Sequence, residues 1–294
     1  MIPNCPPHRV VSLVPSMTES LFDLGFGNYL VGITDYCIHP KTEVEKLPRL
    51  GGTKNPRIDE LIRLHPDLVI ANKEENTQQS IQQIEDEGIP VWLTFPKTVA
   101  ESIADLWNLA RTYRSETAYE KLRLIEKIVE FARLAAGQKP VRYFCPIWYE
   151  IGPNGEAWWM TFNRDTFSSD ILSLVGAENV FAERKRRYPL EADLGLRAPE
   201  PRGDRDDRYP RVRLPDIIAA QPDVILFPDE PYPFGEVDAR RLVSEYKTKA
   251  KVDIPFIYID GSLIFWPGTR IAKAITELAP EFTKLTNGID DGKL

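Results

Sequence analysis

The stretch "LHPDLVIAN" at residues 64–72 has a near echo in "AQPDVILF" at 220–227. Each copy sets Pro-Asp ahead of a short apolar run, which reads as a buried strand. Each also follows an amphipathic stretch, "RIDELIRL" in the first case and "RLPDIIAA" in the second. A helix–turn–strand unit used twice, about 150 residues apart, points to two similar lobes. At 294 residues the chain is long enough for two domains of ordinary size.

The elements around the two copies alternate. "RVVSLVPS" (9–16) predicts a strand, "MTESLFDLGFG" a helix closed by Gly25 and Gly27, and "YLVGIT" a second strand. "DLVIAN", a helix through "NTQQSIQQIEDEG" and the strand "IPVWLTF" follow. After residue 138 the series restarts. "KPVRYFCPIWYE" predicts one strand, "WWMTFNRDTFSSD" a loop, "DILSLVG" a helix, and 183–213 an exposed, charged insertion. "DVILFPDEPYPF" and "IPFIYIDG" predict the next strands, with a helix between them through "DARRLVSEYKTKA" and a last one through "TRIAKAITELA". Strands alternating with helices favour parallel sheets. Between the halves, "SETAYEKLRLIEKIVEFARLAAG" sets Tyr119, Leu122, Ile125, Ile128, Val129 and Ala132 at helical spacing behind the cap Ser115. That predicts one helix of about 22 residues, ~33 Å long. The expected architecture is α/β, with two Rossmann-like lobes of parallel sheet (1–97 and 139–294), connecting helices over 98–138 and a ligand cleft between the lobes.

Composition narrows the function. A net charge of −7 argues against a nucleic-acid footprint. The "ERKRR" run at 183–187 reads as solvated loop beside compensating acids. Three cysteines and three histidines are scattered without metal-site spacing, so no metal ligands are assigned. No basic segment followed by an apolar run opens the sequence, and no run approaches a membrane span. The expectation is a protein without membrane insertion, cytoplasmic unless a leader has been removed and periplasmic or extracellular otherwise. Enzyme signatures such as G-x-S-x-G, H-E-x-x-H and the phosphate-binding P-loop are missing, so no catalytic residue is assigned.

Ligands of open α/β sheets bind at the loops after the strands. Those loops carry Pro15, Ser16, Thr18, Tyr36, Asn72, Glu74, Glu75, Asn76, Asn163, Arg164, Asp165, Asp229, Glu230, Tyr232, Asp260 and Trp266. Arg164 would pair with an anionic ligand group or with a neighbouring acid. Asp165, Thr166 or Ser168 would cap the next helix. Glu74, Glu75, Asp229 and Glu230 would form acidic lips or solvated loop charges. Trp148, Tyr149, Trp158 and Trp159 supply packing in at least two cases and flat walls for a planar ligand otherwise. Cys37 and His39, two apart on a presumed strand, would share a face. They leave open an intracellular enzyme or chaperone acting on a metal complex.

The ordered set "RVVSLVPSMTESLFDLG", "VGITDYCIHP", "RIDELIRLHPDLVIAN", "DILSLVGAENVF", "LPDIIAAQPDVILF" and "DGSLIFWPGTRIAKAI" resembles the helical-backbone (TroA-like) substrate-binding proteins of ABC importers. The likeness spans roughly 9–280 and is greatest to the vitamin B12- and siderophore-binding branch. "GGTKNP", "NKEEN", "WMTFNRDT" and "DEPYPF" add a likeness to its leaderless members. The resemblance implies a non-catalytic, monomeric binding protein with no intrinsic cofactor. Its ligand would be a metal chelate or tetrapyrrole, with a corrinoid such as cobalamin leading and a ferric siderophore or haem next. It matches Tyr36 to a tyrosine facing the corrin and sets Tyr209 near a cleft tryptophan. Thr53 and Asn72 stand at two further aromatic positions of that branch, and Asp260 lies close to the position of an acid. It also implies an ABC permease partner, docked through Asp59 or Glu60 on one lobe and Asp216 on the other.

Overall fold

A computed structural model describes residues 5–136, 139–152 and 155–290. The chain divides into two compact units. One comprises Met1–Ile128 with Trp266–Ala272, and the other Val129–Phe265 with Lys273–Leu294.

Unit one runs β1 (Val10–Ser12), α1 (Pro15–Asp23), β2 (Leu30–Ile33), α2 (Lys41–Val44), α3 (Ile58–Arg63), β3 (Leu68–Asn72), α4 (Gln78–Asp86), β4 (Val91–Thr94) and α5 (Val99–Tyr113). Its sheet is parallel, in the order β2-β1-β3-β4. Helix α6 (Glu116–Ala135) carries the chain across the division into the second unit. There follow β5 (Val141–Phe144), β6 (Trp148–Ile151), β7 (Ala157–Met160), α7 (Phe167–Leu174), β8 (Ala177–Asn179), α8 (Leu190–Asp193), β9 (Arg211–Val212), α9 (Leu214–Ala220), β10 (Val224–Pro228), α10 (Glu236–Ala250), β11 (Phe256–Ile259), α11 (Ser262–Phe265) and α12 (Ile271–Asp290).

The main sheet of unit two is also parallel, in the order β8-β5-β10-β11. Read in chain order this is the connectivity of unit one: the first strand lies between the second and third, and the fourth lies outside the third. The repeated Pro-Asp marks the third strand each time. All five residues of β3 and all five of β10 are buried, as expected for an interior strand covered on both faces.

The echo holds a repeated clamp. Behind α3 and α9 the chain turns through one left-handed residue, His65 (φ 45°) or Gln221 (φ 48°), and proline stops the helix from continuing. The next residue, Asp67 or Asp223, then reaches back to the first strand. The Asp67 carboxylate accepts from the His8 and Arg9 amides at 2.7 and 2.9 Å, and that of Asp223 accepts from the Arg142 amide at 2.8 Å. The same arginines tie off the helix ends. Arg9 donates to the Leu64 carbonyl at 2.6 Å and to that of His65 at 3.2 Å. Arg142 donates to those of Ala220 and Gln221, both at 2.8 Å. Orphan helix carbonyls and first-strand amides are satisfied by one Arg–Asp pair in each unit.

The predicted long helix forms: α6 has 20 residues, and the Ser115 hydroxyl accepts from the Ala118 amide at 3.3 Å. Leu122, Ile125, Val129 and Ala132 are its buried stripe. Two sequence expectations are corrected. "KPVRYFCPIWYE" is two strands, because Pro146 lacks a ladder donor and the chain leaves the parallel sheet there. "WWM" is not loop: Ala157–Met160 pairs antiparallel with β6 and, through Trp159 and Met160, with β9. The compact units divide inside α6, and 266–272 belongs with the first. There Thr269 donates to the Ser20 hydroxyl and to Asp23, while Arg270 grips Glu19 with bonds of 2.7 and 2.6 Å.

Candidate functional site

In a sheet ordered 2-1-3-4 the connections from the first and third strands leave in opposite directions, which opens a crevice between their carboxyl ends. In unit one the crevice is flanked by the start of α1 and the loop after β3. Helix α1 has no side-chain cap. Its first-turn Ser16 hydroxyl is buried and has no hydrogen-bond partner among the described residues. An uncapped helix start offers amide donors to an anionic or carbonyl oxygen. Pro15 opens the helix, where its missing N–H costs nothing.

The neighbouring positions separate into scaffold and surface. Thr18 is 0% exposed, bonding the Val14 carbonyl and the Cys37 sulfur, both at 3.1 Å. Asn72 is buried; its carbonyl oxygen accepts from the Glu74 amide at 2.7 Å, while its amide reaches Thr94 at 3.3 Å. Both are held by bonds within the protein and shape the loops around them. Asn76, also buried, holds the Thr53 carbonyl at 2.8 Å and so ties the 53 loop to β3. Glu74 and Glu75 are half-buried. Tyr36, in contrast, is 62% exposed, and its ring edge lies over Gly52. Trp266 is half-buried, with its ring edge-on to His39 at 5.9 Å and under the Arg270 guanidinium at 4.9 Å.

In unit two Thr166 is the cap of α7, accepting from the Ser169 amide at 3.3 Å. Asn163, buried, accepts from the Asp165 amide at 3.0 Å and so shapes the loop. Exposed Arg164 forms an ion pair with Glu183. Asp229 accepts from the Gly261 amide at 2.7 Å. Asp260 receives the amide and hydroxyl of Ser262 and stands 4.0 Å from Lys273. Glu230, half-buried, packs on Gly261, where any side chain would collide with it. Tyr209 lies half-buried under Arg208. Tyr232 meets Trp148 edge-on at 5.6 Å. Trp148 is 43% exposed, whereas Trp158 and Trp159 are buried packing. The sequence grouped these aromatics without telling the exposed ring from the buried ones: Trp158 and Trp159 lie on opposite faces of β7 and both are covered, while Trp148 shares the face of Trp158.

The docking positions differ in what they offer. Asp59 is exposed on α3, and Glu60 pairs with Arg57 at 2.8 Å. The Asp216 carboxylate accepts from the Arg213 amide at 2.9 Å and so closes the start of α9.

The thiol–imidazole pair does not form on one face. Residues 34–37 make a turn, closed by the Cys37 amide on the Thr34 carbonyl at 3.2 Å. The Cys37 sulfur points inward onto the hydroxyls of Thr18 and Thr34, while His39 faces Trp266. Burial pushes the Cys37 thiol up, against these hydrogen bonds, and pushes Cys145 higher still. Neither supplies a thiolate near neutral pH. Among the described residues no group of three or more His, Cys, Asp or Glu side chains is arranged to hold a metal ion. Among them, too, no helix is long and apolar enough to cross a membrane.

Two parallel α/β units of one strand order, with receptive loops at the strand ends and a long helix running from one unit into the next, define the helical-backbone class of solute-binding folds. The chain belongs to the periplasmic binding protein family, whose model matches residues 10–244. It is 24% identical over 289 residues to a vitamin B12-binding protein of Pectobacterium carotovorum, covering 98% of this chain and 92% of that one. Among solved structures it is similar to a periplasmic vitamin B12-binding protein of Vibrio cholerae, with a TM-score of 0.70 at 20% identity, covering 96% of this chain and 98% of that one. A periplasmic haem-binding protein from Roseiflexus is similar at a TM-score of 0.69 and 20% identity, covering 95% and 98%.

Proposed function

We propose that the chain is a non-catalytic solute-binding protein for a metal chelate or tetrapyrrole. A corrinoid is the first candidate, ahead of haem and ferric siderophores. The observation that carries this reading is Tyr36, an aromatic ring presented to solvent on the loop after β2. A flat apolar ring there is suited to the face of a macrocycle. Trp148 in unit two offers a second such ring, and the α1 start with Ser16 offers donors to peripheral amide or carboxylate oxygens. The vitamin B12- and haem-binding names of similar proteins support the same ligand class.

Titrating the purified chain with cyanocobalamin, haemin and a ferric siderophore, and following the absorption bands of each, tests the reading. One saturable ligand at one equivalent is the expected result; three chelates without any saturable spectral change contradict it. Delivery to an ABC permease through Asp59 is a further part of the reading. Asp59→Lys is expected to abolish capture by that permease while leaving chelate affinity unchanged.

A further inference from the structure

Residues 183–213 hold ten cationic side chains against seven acids, in a chain whose net charge is −7. Residues 195–206 are exposed, as the composition suggests, but the rest of the segment is not a solvated loop. It folds around Asp193, which is fully buried. That carboxylate accepts from the amides of Arg187 at 2.9 Å and Arg211 at 2.8 Å, and its second oxygen lies 3.5 Å from the Arg211 guanidinium. Arg184 reaches the Asp193 main-chain carbonyl at 3.0 Å.

The surrounding cations exceed what these acids neutralise. Arg184, Arg186, Arg208 and Arg211 face two carboxylates: Asp193, and Asp206, which is bound by Arg208 through two bonds of 3.0 and 2.5 Å. The Nε atoms of Arg184, Arg186 and Arg211 are buried and have no hydrogen-bond partner among the described residues. Aromatic faces fix two of the guanidinium groups. Arg186 lies 4.7 Å over Tyr188 and Arg211 5.9 Å over Trp158. Arg211 is held below its ordinary range, first by burial and then by the nearby Arg186 charge. Like charges set together, with buried donors unused, cost stability unless an anion completes them. The cluster is also laced to the loop after β7. The Arg186 amide donates to the Asp207 carbonyl, and the Asn163 amide to that of Arg208, each at 2.9 Å.

We propose that Arg184, Arg186 and Arg211 form an oxyanion subsite that takes a carboxylate or phosphate group of the bound solute. Only the identity of the molecule carrying that group rests on the binding reading above. The planar guanidinium fork suits both anions, and inorganic ions separate them.

The test is a titration of the full chain, labelled with nitrogen-15 at arginine, with inorganic phosphate, citrate and chloride, following the Nε–Hε resonances. Those of Arg184, Arg186 and Arg211 are expected to shift together and saturate with phosphate or citrate but not with chloride. The tighter of the two names the group. Arg186→Gln is expected to weaken that saturation at least tenfold and Arg186→Lys less. Arg197→Gln, which touches only the exposed Arg197–Glu200 pair, is expected to leave it unchanged. A thermal midpoint measured for each variant separates lost binding from lost folding. Equal, non-saturating shifts with all three salts overturn the subsite.

A second arm compares haemin with its dimethyl ester. Preference for the free acid that disappears in Arg186→Gln supports the subsite in the loaded protein, and equal preference in both proteins opposes it. Anion saturation without chelate binding refutes only the chelate reading, and chelate binding without anion saturation refutes only the subsite.

Discussion

One turn along α5 from Glu101, the half-buried Asp105 carboxyl is pushed up to about 6, mainly by burial and then by the Glu101 charge. Its folded value lies above its unfolded one, so the native state holds this proton longer. Below about pH 4 both states are protonated and the site costs nothing; above about pH 6 the native state bears the full penalty. Asp105→Asn is therefore expected to raise unfolding free energy by ~1 kcal/mol at pH 7, after discounting for partial exposure, with the gain fading as the pH approaches 4. Urea melts at the two pH values check this. The raised thiols run in the same direction. Stability contributed by protonated Cys37 and Cys145 falls as pH climbs past the ordinary thiol range of about 8.5. In the native protein a thiol reagent is expected to label exposed Cys5 promptly, and the other two only on unfolding. For the ligand, Tyr36→Ala is expected to weaken chelate binding about tenfold, ~1.4 kcal/mol, without changing the melting temperature. Single residues were the hardest level to read from sequence. Thr18 in α1, Asn72 at the end of β3 and Tyr36 in the turn after β2 all lie near the carboxyl ends of strands, and only the course of the backbone decides which turn inward and which face solvent.

Helices and strands were more legible. Periodicity gave α6 its cap and buried stripe, and the Pro-Asp echo located β3 and β10. The β6–β7 pair was not legible as such, because its aromatic run carries no alternation of polarity; the Gly-Pro-Asn-Gly between two aromatic segments was the available hairpin signal. The twin Arg–Asp clamps give this level its test. Asp67→Ala removes an acceptor from two amides, and Asp223→Ala removes one. With charge-assisted bonds worth about 1.5–3 kcal/mol, chemical denaturation is expected to show the larger loss for Asp67→Ala. Equal, negligible losses would mean that water replaces the carboxylates.

Across the whole molecule, the matching orders β2-β1-β3-β4 and β8-β5-β10-β11 express one α/β plan used twice, with the β6–β7–β9 sheet and the arginine-rich 183–213 segment added to the second copy. The plan was legible because a buried parallel strand and its preceding helix leave a sequence pattern that survives divergence of the side chains. The addition was not, because its organising group is one buried carboxylate, Asp193, among many exposed charges. Loops at equivalent strand ends are the surface this plan leaves for a ligand in each unit, and amide hydrogen exchange with and without a saturating chelate measures that assignment directly. Slowed exchange gathered at residues 13–18, 34–37 and 72–76 and at 161–166, 207–209 and 229–232, with the turns at 64–67 and 220–223 unchanged, is the result the account predicts. Protection centred on those Pro-Asp turns, at the opposite ends of the strands, would contradict it.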